Sequence, residues 1–168
     1  MGMAPLRGDE TATEIITLAY GMEKGLGEFY ETLSKRVDNP KVATLLNKLA
    51  KIEEHHKQKL FDLYITFDSA VTNQETFESS AVSEMMEGGF TTEEFLEKNR
   101  PVMQTAKDVL NFAMMLETQA LDLYLRYSRK AGEQKSMTVL YNIAEEEKTH
   151  LTHLGQLMEK TYEEGGSQ

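Results

Sequence analysis

The 168-residue chain contains no cysteine, and that one absence excludes disulfides, zinc fingers, thiolate-held iron–sulfur centres and cysteine nucleophiles together. Any metal bound here sits on nitrogen and oxygen ligands. Proline is scarce, at three residues, and no alternating polar–apolar run is sustained, so little interrupts helix and nothing argues for sheet. Lysine and arginine (18) are outnumbered by aspartate and glutamate (28), and the formal charge of −10 argues against nucleic-acid or anionic-membrane partners. No apolar run approaches the roughly 20 residues of a membrane span, and residues 1–10 lack the apolar stretch of a secretory signal. The expected setting is soluble and cytoplasmic. A chain that is 40% hydrophobic can bury one sizeable core, so a single domain over 1–168 is expected.

Apolar residues three and four apart mark four long helices. The first starts near Thr11, where Thr11 and Glu14 form a capping-box pattern, and reaches about Val37 before Asp38-Asn39-Pro40 breaks it. Asn39 caps a second helix running from Pro40 to about Phe67. Ser, Thr and Glu then accumulate, Gly88-Gly89 interrupts, and Thr92 to Lys98 can form one short helix. A third helix is expected to open at Pro101 and stop at Gly132, and a fourth to run from about Ser136 to Tyr162. The expected fold is all-α: a four-helix bundle of two helical hairpins, 11–67 and 101–162, joined by a long crossover, 68–100, containing a short helix.

The two hairpins resemble copies. Shifting the sequence by 94 residues aligns Thr11 to Asp68 with Thr105 to Tyr162 without a gap and matches fourteen residues. Glu23 falls on Glu117, Tyr30 on Tyr124, Glu53 on Glu147 and His56 on His150. In each copy the two glutamates lie 30 residues apart with the turn at their midpoint, so they share a height in the bundle. At 1.5 Å per residue that height is about 22 Å from the turn, far from any frayed end. The neighbours at three, four and seven residues are mostly apolar around all four glutamates, so all four face the interior.

Four ionised carboxylates in an apolar core would each cost several kcal/mol and repel one another. No interior lysine or arginine repeats with them. Two divalent cations supply matching charge, and His56 and His150, one helical turn beyond Glu53 and Glu147, complete a nitrogen–oxygen set suited to iron or manganese. One Glu from each of two helices plus Glu-x-x-His from each of the other two is the ligand pattern of di-iron carboxylate bundles.

On these residues the chain resembles the rubrerythrin branch of the ferritin-like superfamily, over nearly everything outside the crossover and tails. The resemblance implies two iron ions, with manganese or zinc as possible substitutes. It makes Glu23 and Glu117 terminal ligands, Glu53 and Glu147 bridging ligands, and His56 and His150 one cap each. Tyr30 and Tyr124 resemble tyrosines that hydrogen-bond the carboxylates in that family. Two departures stand out. A chain without cysteine contains no rubredoxin domain, so electrons would come from an external donor such as a rubredoxin-like protein. The additional glutamate usual near the third-helix ligand is also missing, with Met114 and Ala120 three residues either side of Glu117.

The function expected is that of a di-iron oxidoreductase reducing hydrogen peroxide or dioxygen in oxidative-stress defence, as a homodimer. The alternatives are ferroxidase or iron-storage activity, which calls for a large symmetric shell, and a metal-free helical interaction module. The run Glu145–Glu147 is expected to turn only Glu147 inward, leaving the others on the solvated surface.

Overall fold

The computed structural model describes residues 9–82 and 92–165. They form six α-helices: α1 (Ala12–Ser34), α2 (Pro40–Tyr64), α3 (Gln74–Phe77), α4 (Thr92–Asn99), α5 (Ala106–Lys130) and α6 (Gln134–Gly165). No strand occurs among the described residues. α1 packs along α2 and α5 along α6, and the hairpins meet through α1 against α5 and α2 against α6. This is the helical bundle of two hairpins expected from the periodicity, and it is ferritin-like, as the resemblance implied. None of these helices is long and apolar enough to cross a membrane.

Each hairpin opens on the same local chemistry. The Thr11 hydroxyl accepts from the Glu14 amide while the Glu14 carboxylate accepts from the Thr11 amide at 2.7 Å. Thr105 and Asp108 repeat the arrangement at the start of α5, at 3.2 and 2.8 Å. Such a box satisfies amides with no partner inside the helix and is worth about 1 kcal/mol. The third long helix therefore opens at Ala106 and not at Pro101, which belongs to a separate 3-10 turn, Arg100–Val102. Asn39 caps α2 as expected, its side-chain oxygen accepting from the Lys41 and Val42 amides.

Other boundaries shift by a few residues. α1 ends at Ser34 and α2 at Tyr64, each followed by turn-type hydrogen bonds that tighten the chain before the next element. α6 starts two residues earlier than expected and extends to Gly165. The crossover holds, besides the expected short helix, α3 and a π-helical turn at Glu78–Val82. Gly88 and Gly89 lie outside the described residues. Phe77 of α3 is buried against Tyr20, Phe61 and Tyr64, with its ring 5.0 Å from that of Tyr20, and this pins the crossover to the first hairpin.

The core shows the repeat in its packing. Leu46 and Leu140 lie seven residues before the second glutamate of each hairpin, and Leu60 and Leu154 seven residues after it; all four are fully buried. Apolar layers thus close above and below one polar layer.

Candidate metal centre

That polar layer consists of Glu23, Glu53, His56, Glu117, Glu147 and His150, every one of them at most 2% exposed. All six residues singled out by the repeat come together. They form two overlapping groups, each with ligand atoms within 4.8 Å of one another: Glu23, Glu53, His56 and Glu147 in one, Glu117, Glu53, His150 and Glu147 in the other. Glu53 and Glu147 belong to both.

The contacts of one histidine mirror those of the other. His56 Nδ1 lies 3.3 Å from Glu23 Oε2, 3.0 Å from Glu53 Oε2 and 3.2 Å from Glu147 Oε1. His150 Nδ1 lies 3.3 Å from Glu117 Oε2, 2.9 Å from Glu147 Oε2 and 3.5 Å from Glu53 Oε1. Each of the two shared carboxylates therefore turns one oxygen to each histidine. The imidazoles lie nearly parallel, 18° apart with centroids at 5.6 Å.

These contacts are close without being hydrogen bonds for the shared pair. Both oxygens of Glu53 and both of Glu147 are buried without a hydrogen-bond partner. Buried acceptors are nearly always satisfied, and four orphaned carboxylate oxygens in one place form a group that could hold cations. Lone pairs of hard oxygen and imidazole nitrogen converging from four helices fit two ions of the iron or manganese kind.

Electrostatics point the same way. Burial, aided by the nearby Glu23 carboxylate, pushes Glu53 well above the usual carboxylate range. Burial and Glu147 push Glu117 up to about 8. For His150 burial opposes charging, yet Glu117 and Glu147 prevail and raise it to about 9; His56 is displaced further in the same direction, by Glu147, Glu23 and Glu53. Glu147 moves the opposite way: burial resists its ionisation, but Glu117, His150 and His56 outweigh it. The cage attracts positive charge.

Both tyrosines reach the layer, each across the hairpin boundary. Tyr30 of α1 donates to Glu117 Oε1 at 2.5 Å, and Tyr124 of α5 donates to Glu23 Oε1. Burial first, and then the carboxylate each one faces, raises both phenols well above their ordinary value, so both stay hydroxyl donors.

One participant escaped the sequence reading. Glu146, expected on the solvated surface, sets Oε2 3.0 Å from His56 Nε2 and pairs with Lys59. A ligating imidazole commonly gives its second N–H to a carboxylate, which fixes ring and tautomer. The position matching Glu146 in the first hairpin is Ile52, so the repeat provides no equivalent carboxylate for His150. His55, beside His56 in the chain, stays outside the layer: it is exposed and its ring bonds the Lys51 carbonyl.

Compared with known proteins, the chain matches no curated protein and no solved structure. The family model described as Rubrerythrin matches residues 14–158, a span that contains all six residues of the buried layer, both tyrosines and the crossover. Di-iron oxidoreductase or ferritin-like chemistry is the general activity of that family, and the chain belongs to it.

Proposed function

We propose that this protein is a di-iron oxidoreductase that reduces hydrogen peroxide, drawing electrons from an external donor such as a rubredoxin-like protein. The observation that carries the reading is the pair of fully buried carboxylates, Glu53 and Glu147, whose four oxygens have no hydrogen-bond partner and divide evenly between two ligand groups. In this reading Glu53 and Glu147, shared by both groups, would hold both ions, with Glu23 and His56 completing the set for one and Glu117 and His150 for the other. A pair of irons held there would supply the redox chemistry: reducing peroxide to two waters takes two electrons and two protons.

The chain's own groups have definable tasks. Glu53 and Glu147 offer one oxygen to each group and, as hard donors, would suit an ion of higher charge. Tyr30 and Tyr124 hold Glu117 and Glu23 by one oxygen, leaving Oε2 of each directed at a histidine Nδ1. With Nδ1 of His56 facing the layer, its Nε2 carries the proton shared with Glu146. Leu46, Leu60, Leu140 and Leu154 keep bulk water from the layer. Peroxide, in preference to dioxygen, is favoured by family membership, and a homodimer is the assembly we propose.

Anaerobically reduced, iron-loaded protein should consume peroxide faster than dioxygen, with two irons per chain, and Glu53→Ala or Glu147→Ala should abolish the reaction. Rapid turnover by either variant overturns the proposal. The same ligands suit ferroxidase and storage chemistry; a large closed shell in solution, in place of a dimer, transfers the assignment to iron storage.

A further inference from the structure

The two hairpins cover their shared layer unequally. Residue 27 on α1 is glycine, and its counterpart on α5 is Leu121. A Cβ placed on Gly27 would stand 3.6 Å from the Glu53 Cβ and 3.8 Å from the Ala50 carbonyl oxygen, so bare backbone is what faces the Glu53 stem. Outside lies a groove of about 460 Å3 between α1 and α2, lined by Gly27, Ala50, Lys24, Lys51, Glu54 and Lys57 among others. Ala50 is partly exposed in it, whereas its copy Ala144 is fully buried. The copies of Gly27, Glu31 and Lys57 are Leu121, Leu125 and Leu151, so three leucines stand in the second hairpin where this groove has none, although the copies of Lys24, Glu28, Lys51 and Glu54 stay polar.

We propose that this groove is the door by which divalent cations enter the buried layer; the inference rests on reading that layer as a metal centre. A hydrated cation loses its shell at high cost and travels along polar walls in preference to leucine. Carboxylates outnumber ammonium groups on these walls four to three. Glu53 is fully buried, so the door is shut at rest and opens by a small parting of α1 from α2 at Gly27. A leucine there, as in the other hairpin, would bar it.

The test is stopped-flow uptake of Co(II) by the metal-free, full-length protein, followed by removal with a chelator. Gly27→Leu should slow both entry and removal by about tenfold or more while leaving stoichiometry and affinity unchanged, since a barrier acts on both directions equally. Gly27→Ala, whose Cβ meets its neighbours at ordinary contact distance, should fall between, and Leu121→Gly should speed uptake. Gly27→Leu loading as fast as the parent overturns the door alone. If Gly27→Leu does not fold, unchanged rates in both Gly27→Ala and Leu121→Gly overturn it. A parent that takes up no Co(II) overturns the metal reading and the door with it.

Discussion

Tyr124 on α5 gives its hydroxyl hydrogen to Glu23 on α1, and Tyr30 on α1 gives its own to Glu117 on α5. This reciprocal pair ties each hairpin to a carboxylate of the other. Tyr30→Phe and Tyr124→Phe should each weaken metal binding by about 10- to 100-fold while leaving the helices folded. Calorimetric titration with Mn(II) checks this; an unchanged affinity in both variants refutes it.

Glu146 makes the two ligand groups unequal, because His56 has its carboxylate partner and the residue matching Glu146 in the repeat is Ile52. Glu146→Ala should lower affinity at the position near His56 by about tenfold and leave the other nearly unchanged. The readout is the separation between two binding steps in a metal titration, which should change in the variant while total stoichiometry stays the same.

The buried layer is a liability without cations. Glu53→Leu combined with Glu147→Leu should remove metal binding yet stabilise the metal-free protein, by about 1–4 kcal/mol, since well-packed apolar replacements relieve buried charge. Urea unfolding of chelator-treated parent and variant measures it. In the parent, added metal should raise the midpoint, because an ion binding only the folded state shifts the equilibrium by mass action; the variant should not respond.

Glu78 fastens the crossover. It accepts from Tyr20 at 2.5 Å and pairs with Lys24 at 3.1 Å and Lys57 at 3.2 Å. Burial alone would raise its pKa, but these three partners together hold it below the ordinary 4.5. A depressed carboxylate contributes its stability above the unfolded value of 4.5 and loses it as pH falls through the lower folded value. Glu78→Gln should therefore cost on the order of 1 kcal/mol at neutral pH, and the deficit should shrink on acidification below 4.5. Thermal melts of parent and variant across the acid range report the difference.

The ligand layer was legible because two copies of one pattern fix both face and height. Glu23, Glu53, His56 and their counterparts needed only helical periodicity and a shared turn position. The start of α5 was misplaced at Pro101, a strong local signal that belongs to a separate 3-10 turn, although Thr105 matches Thr11 in the repeat and carries the same box. Glu146 was not legible, because its role depends on His56 reaching across from α2 and no single-helix pattern contains that contact. Tyr30 could be placed on the core face, but which hairpin's carboxylate it meets is decided by how the hairpins pack. Glu78 draws its partners from α1 and α2, more than 20 residues before it in the chain, so nothing local announces it.

Neither hairpin owns a full ligand set: each of the overlapping groups borrows at least one glutamate from the other half. The simplest ancestor able to assemble such a site is thus two identical hairpins clasped as twins, each lending what its partner lacked. The two halves are no longer equivalent: glycine stands against leucine at residues 27 and 121, and isoleucine against glutamate at 52 and 146, differences that a pair of identical hairpins could not carry on one side only.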